Sequence, residues 1–430
     1  MKERINWIDW AKALAVCTVV FCHLPQSQDW FYFRYLQAVI IVIFFFLSGY
    51  LKKDRGSDKE NWKKYWYGLI IPYLLYNLIV YPYWLLKYYL IHGAMPDFFA
   101  AMRPLIGTLL LQHESSFAEP LDGPLWYLPA ILIMHIIIDL CRKTKHQHLI
   151  MVSLCMVSFF LYAANKYWYF MPGLTPMGLM RNLPYYYLGY LFGQYGLFRE
   201  CKPKYDLIGF VLFMAGSILF FAWHLHAFYA GQHLLHIVLF YPVNIGFLFG
   251  VLYGCKCMNS IHSKVIINMS IGTLVIIGLH IVLITITNYI FGLALKTDEI
   301  ICYQWYEALP IAIMIVALTY AYTRWDNMMR YLDDGRLLLD NNLAENETRP
   351  VTLGRKNYLF CGNHEAAQNM AVVCSLLATC RNHDVNPRDY LNDVISQMPY
   401  HAKASYEELL QLLPHKWKLT HPESVMTKTA

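Results

Sequence analysis

The chain has 430 residues, of which 57% are hydrophobic, 16% aromatic and only 15% charged, with a net charge of +6. Soluble globular proteins carry about 25% charged residues, so this composition excludes a soluble enzyme and describes a polytopic membrane protein. The charge is divided unevenly: residues 331–430 sum to −2 and the first 330 to +8, which points to two kinds of chain joined end to end.

Basic Lys2 and Arg4 precede the first apolar run, as in a signal peptide, but Asp9 and Lys12 interrupt it and no small-x-small cleavage site follows. It reads as a retained first span. Ten spans are expected, over residues 7–24, 33–50, 66–90, 125–140, 149–164, 183–195, 207–223, 234–253, 265–294 and 305–322. The sixth is short, and the third and ninth are long enough to tilt or break. With a cytoplasmic N-terminus, the inner loops collect Lys52, Lys53, Arg55, Lys59, Lys63 and Lys64, then Arg142, Lys143 and Lys145, then Arg199, Lys202 and Lys204, then Lys256 and Lys264. The alternate loops hold few basic residues, so the positive-inside rule is obeyed throughout. The eleven cysteines show no Cys-x-x-Cys spacing, and no disulfide framework is expected.

From Asp326 onward acidic and amide residues replace the apolar runs, and short amphipathic helices follow: Glu365 to Cys380 has apolar positions every three to four residues, and Asn386 caps a helix with Pro387 at its first position. The fold class is therefore all-α: a polytopic membrane helix bundle of about ten spans with a small soluble, mostly helical C-terminal tail. The expected boundaries are 1–322 for the membrane domain and 323–430 for the tail.

The first span carries the titratable groups of most interest. Lys12 and His23 lie eleven residues apart, close to three helical turns, so they share a face and stand about 16 Å apart along the axis. Titratable groups within a span mark functional sites unless they reach an interface. The structural alternative is that Lys12 snorkels to the inner interface while His23 caps the outer end. His23 suits a general base that deprotonates a hydroxyl for attack on a thioester. Arg4, Lys12 and the lysine-rich second inner loop, Lys63 and Lys64 included, suit the phosphates of a nucleotide-like donor. His224, His226, His233 and His236 have zinc-like spacing, but no nearby carboxylate or cysteine completes the set, so no metal is expected.

Four ordered motifs carry a family resemblance: Arg4…Ile8-Asp9…Lys12…His23, Phe44-Phe-Phe-Leu-Ser48-Gly49-Tyr50, Gly123-Pro-Leu-Trp126-Tyr127-Leu-Pro129, and Ser270-Ile-Gly272-Thr273…His280. Over about residues 1–320 the chain resembles the membrane acyltransferase family 3. The resemblance implies a multi-span O-acyltransferase that moves acetyl, or a short acyl group, from acyl-CoA to a hydroxyl of a cell-surface glycan or its lipid-linked precursor. It implies His23 as the catalytic histidine and Lys12 at the basic position where many members have Arg, which loses the planar guanidinium fork. Ser48 and Gly49 resemble the turn that closes the second span, where a packing role is expected. Arg4, Asp9, Lys12, Lys63, Lys64 and His280 are expected on the donor side or lining the cavity. Trp126 and Tyr127 are expected on the acceptor side, stacking on a sugar or anchoring at the interface.

From Trp325-Asp-Asn-Met-Met-Arg through Asp340-Asn-Asn-Leu-Ala-Glu345-Asn-Glu-Thr-Arg349-Pro350 and on to Asn386-Pro387, the tail resembles the C-terminal end of insertion-sequence-66 family transposases. That resemblance implies Glu345 as the last carboxylate of an Asp-Asp-Glu set for two-metal phosphodiester chemistry. Its partner aspartates would lie upstream, where this chain is membrane, and the tail's net charge leaves no footprint for DNA. The tail thus reads as the remnant of an insertion that replaced the end of an acyltransferase gene. The expected partners are acyl-CoA as donor substrate, the glycan and membrane lipid, with no bound cofactor and no nucleic acid. The expected location is the bacterial inner membrane, with the N-terminus and tail cytoplasmic. The rival functions are a transporter or flippase of glycan precursors and, remotely, a non-functional transposase fusion.

Overall fold

The computed structural model describes residues 5–27, 29–52, 58–168, 173–297, 301–323, 362–402 and 404–426. The chain divides into two compact units, Met1–Asp326 and Asn327–Ala430. Among the described residues both are helical, with two isolated β-bridges and no strand.

In the first unit α1 spans Asn6–His23. No side chain of its own caps it; a remote cap does so, with Asn259 Oδ1 accepting from the Trp7 backbone N–H at 3.0 Å. Asn6 Nδ2 and Trp10 Nε1 in turn donate to carbonyls at 259 and 261, which locks the start of α1 against that loop. The second expected span is two helices, α2 (Phe31–Val39) and α3 (Val42–Tyr50), turning at Ile40 and Ile41. The third is longer than expected: α4 (Asp58–Tyr65) runs through a π-helical turn at Trp66–Ile70 into α5 (Ile71–His92). The irregular turn has a local cause, because Pro72 supplies no N–H to the ladder. Gly93, at φ 70°, closes α5 in the left-handed conformation.

A helix absent from the sequence reading, α6 (Phe98–Leu109), is capped by Asp97, which accepts from the Ala100 N–H at 2.7 Å. Its 12 residues are too few to cross a bilayer. A 3-10 turn, Gly123–Trp126, leads into α7 (Tyr127–Cys141), followed by α8 (Gln147–Trp168) and α9 (Leu174–Gln194). The last of these begins nine residues before the expected start at 183, so Arg181 lies inside a helix and not in a loop. Then come α10 (Pro203–Tyr229), α11 (His233–Cys257), α12 (Lys264–Leu295) and α13 (Trp305–Thr323).

Seven of these segments are long and apolar enough to cross a membrane: α2 with α3, α4 with α5, α7 with its lead-in, α8, α10, α11 and α12. The helices α1, α9 and α13 coincide with the other expected spans but are more polar or have a shorter apolar run. At 32 residues α12 is about 48 Å long and unbroken, so it needs tilt to match a core of roughly 30 Å. On α10 the apolar side chains point outward, Leu212 being 66% and Leu219 71% exposed, as a lipid-facing helix requires.

Close helix packing at the end of the second span accounts for Gly49, in the packing role expected of it. Gly49 is the penultimate residue of α3, and a Cβ there would lie 2.0 Å from the Tyr186 carbonyl oxygen on α9. Gly189 and Gly193 make the reciprocal approach to Phe46 and Tyr50. At the same end of the bundle Lys256 is not a loop residue but the buried partner of Asp206, 2.9 Å away, joining α11 to α10.

The second unit is built on helices His364–Asn382 and Pro387–Gln397, with short helices Tyr406–Gln411 and Pro414–Trp417. Asn386 caps the second of these by accepting from the Arg388 N–H at 3.0 Å, with Pro387 at its first position. Its small core gathers Cys380, Val385, Tyr390 and Trp417.

Candidate active site

His23 is the last residue of α1, open to a cavity of about 550 Å³ that Trp126, Tyr127 and Arg181 also line. Its partner is His280, wholly buried on α12, whose Nε2 lies 3.3 Å from His23 Nδ1. The two rings meet edge to face with centroids 4.9 Å apart. Their tautomers follow from what surrounds them, because a carbonyl can only accept. His280 Nδ1 is 2.9 Å from both the Ile276 and the Ile277 carbonyl oxygens, so it carries the proton and Nε2 is an acceptor. His23 Nδ1 is 2.8 Å from the Val19 carbonyl, so it too is protonated and shares its N–H between Val19 and His280. That leaves the lone pair of His23 on Nε2, the atom a general base uses. The expected cavity-lining role of His280 is thereby revised: it reaches the site through His23.

A second cavity of about 340 Å³ adjoins the first and shares with it Phe44, Tyr127 and Ile277. Lys12, Lys52, Lys64 and His135 line it. Lys12 and His23 therefore occupy two neighbouring chambers, not the single cavity that their shared helix face suggests. Tyr127 stands in the partition, fixed by Ser48 Oγ at 2.8 Å and by donation to the Phe44 carbonyl at 3.2 Å. Trp126 faces only the larger chamber, stacked on Phe45 at 5.7 Å.

The other expected residues divide. Asp9 is buried and accepts from Ser270 Oγ at 2.6 Å, so the first and fourth motifs meet as a joint between α1 and α12, and Asp9 lines neither chamber. Lys63 is exposed and away from both. Arg4 and Glu345 lie outside the described residues. One unforeseen pairing and two groups missed by the sequence reading belong here. Lys52 pairs with Asp139 at 2.8 Å, and the Tyr65 hydroxyl bonds both, bracing the wall of the inner chamber. Arg181 was missed because α9 begins earlier than its hydropathy shows. Asp122, just before the turn that lines the larger chamber, is buried with neither carboxylate oxygen hydrogen-bonded, and burial pushes its carboxyl up to about 8.

The histidines between α10 and α11 form a clip. His224 Nδ1 donates to the His236 carbonyl at 2.8 Å and His236 Nδ1 to the His224 carbonyl at 3.2 Å, their rings stacked at 3.8 Å. The Nδ1 of each ring is committed to backbone, and among the described residues no cluster suits a metal.

Residues 5–324 match the acyltransferase domain family. The chain belongs to the acyltransferase 3 family. The family's acyltransferase domain is followed by a match to the IS66 family transposase over 303–369 and to the IS66 C-terminal element over 375–415. The first two matches overlap across α13. Among curated relatives, the inner membrane protein YcfT of Escherichia coli is 28% identical over 222 residues, 45% of this chain and 57% of that protein. Two proteins of Sinorhizobium fredii, y4hP and y4qI, are 36% and 37% identical over 113 and 102 residues, about a quarter of this chain and a fifth of theirs. The chain thus spans a fifth to just over half the length of these relatives. No solved structure matches.

Proposed function

We propose that this membrane acyltransferase takes acetyl, or a short acyl group, from acyl-CoA in the inner chamber and places it on a glycan hydroxyl in the outer one. The observation that carries the reading is the pair of adjoining chambers: one lined by three lysines, the other by His23 with its Nε2 lone pair free of the backbone. About 16 Å of helix separates Lys12 from His23. A donor anchored by phosphates near Lys12 therefore needs a long flexible arm to bring its thioester past the Phe44–Tyr127 partition, which is the architecture of coenzyme A.

In the step itself His23 Nε2 removes the proton of the acceptor hydroxyl, and the oxygen attacks the thioester carbonyl. The C–S bond breaks, the acyl group remains on the acceptor oxygen, and the CoA thiolate leaves and takes the proton from the imidazolium. During that step His280 Nε2 accepts from the His23 Nδ1–H, holding the ring and sharing its charge. The Asp139–Lys52–Tyr65 group braces the inner wall, and Trp126 offers the acceptor an apolar face. The alternating loop charges support an N-terminus and tail on the cytoplasmic side, and the printed name of the YcfT relative, an inner membrane protein, supports a bacterial inner membrane. On this reading the tail takes no part in the chemistry.

The test uses membranes containing the full chain, acetyl-labelled acetyl-CoA and endogenous surface polysaccharide. Label should enter the polysaccharide with stoichiometric release of CoA. His23→Ala should lower the rate by roughly 100- to 10,000-fold at unchanged membrane level, the contribution of a general base. Full activity in that variant, or glycan movement without CoA release, overturns the proposal.

A further inference from the structure

Arg181 stands seven residues into α9, about 10 Å along the helix from Leu174. Gly178 lies one turn earlier on the same face, and the room it leaves is filled by the Trp126 ring: a Cβ there would lie 1.9 Å from Trp126 Cζ3. Ring and guanidinium thus form one wall of the larger chamber, which His23 also lines.

The surroundings of that guanidinium are unusual for a charge at membrane depth. The Phe240 ring centroid is 5.6 Å away, the Tyr162 hydroxyl accepts a hydrogen bond from the guanidinium, and the Tyr185 and Tyr241 hydroxyls are within its electrostatic reach. Among the described residues no carboxylate forms an ion pair with it. Its Nε and the hydroxyls of Tyr185 and Tyr241 are buried with no hydrogen-bond partner. A buried donor left unmet is costly, more so when charged, and ionisable groups in a span are retained where they meet a partner or a polar cavity. A cation that lines a chamber with an aromatic wall and has no carboxylate partner among the described residues, with two unmet hydroxyls buried behind it, describes a site whose missing member is an oxyanion.

We infer that Arg181, from the chamber wall, binds a carboxylate or phosphate of the acceptor, so that the acceptor is an acidic saccharide and not a neutral one. The planar guanidinium presents two parallel N–H groups to such an anion, and the Trp126 ring packs on the adjacent sugar face. The role of the ligand as acceptor rests on the acyl-transfer reading; its binding does not. The experiment therefore measures binding without a donor.

The full-length chain carrying His23→Ala, in phosphatidylcholine nanodiscs, is titrated calorimetrically with tetragalacturonate, a phosphorylated maltotetraose and neutral maltotetraose. At least one acidic probe should bind well above the neutral one, and which of the two binds identifies the anion. Adding Arg181→Gln should weaken the acidic probe on the order of 10- to 100-fold and leave the neutral one unchanged. Arg181→Lys, which keeps the charge and loses the fork, should fall between and serves should Arg181→Gln not fold. Equal binding of acidic and neutral probes, or acidic binding indifferent to both substitutions, overturns the inference. So does loss of saccharide discrimination together with Arg181-dependent retention of phosphatidylglycerol, which would assign the site to a lipid headgroup. Acidic-probe binding that survives while acyl transfer proves absent would sink the proposed function and leave this site standing.

Discussion

Replacing His280 by Phe tests whether two histidines act as one unit. The substitution keeps an aromatic ring of similar size and removes both nitrogens. The Ile276 and Ile277 carbonyls lose a side-chain donor, yet as mid-helix groups they keep their backbone bonds, so the main change is loss of the acceptor 3.3 Å from His23 Nδ1. A hydrogen bond to an imidazolium in the transition state contributes about 1.5 to 3 kcal/mol, and His23 retains its bond to the Val19 carbonyl. The expected loss is therefore about 10- to 150-fold in kcat, with KM for the donor little changed. His280→Gln, which can place an amide oxygen in the same position, should recover part of it. In label-transfer assays at saturating acetyl-CoA, the double variant His23→Ala, His280→Phe should be no slower than His23→Ala alone, because the second residue works through the first. Additive losses, or full activity in His280→Phe at equal membrane level, would refute the arrangement.

Gly49→Ala sets a methyl group 2.0 Å from the Tyr186 carbonyl oxygen and should cost about 1 to 3 kcal/mol, seen as a lower melting temperature in detergent. Asp122 has a raised folded-state pKa, so the stability tied to its protonated form is present below the usual carboxylate range and is lost as pH rises towards about 8. Asp122→Asn should therefore raise the melting temperature at pH 8 and leave it unchanged near pH 4; a pH-independent difference refutes burial as the cause. A chain ending at Arg324 should insert and transfer acyl groups at the full-length rate, and a reporter fused after Ala430 should report the cytoplasm. Loss of transfer in the shortened chain at equal level would show the tail supporting the first unit.

The helical class and nearly every long helix were legible because runs of apolar residues dominate each one. Errors arose where polarity and helicity part company. Arg181 ended the apolar run that defines α9, yet backbone bonding continues through it, since a guanidinium in a chamber needs no break in the helix. The turn at Ile40 and Ile41 has no polar residue to announce it, and α6 is apolar but too short to count. Within the site, His23 and Tyr127 were visible through their motifs, whereas the His23–His280 pairing joins residues 257 positions apart. No spacing rule reaches that far. The partition into two chambers was hidden for the same reason, because Phe44, Tyr127 and Ile277 come from three different helices.

The helix α13 turns a bare stripe of small and branched residues inward, Ala308, Ala312, Ile315, Val316 and Thr319, and sends Leu309, Ile313, Met314 and Leu318 out. Lipid asks of those outer positions only that they be greasy, and the inner ones only that they be slim or smooth. A peripheral span of this kind holds very little information, so many unrelated stretches of apolar code satisfy it. That is why two ancestries can be spliced within one helix, as the overlap at 303–324 records, whereas a seam through α1 or α12, where His23 and His280 must meet, would leave no site behind.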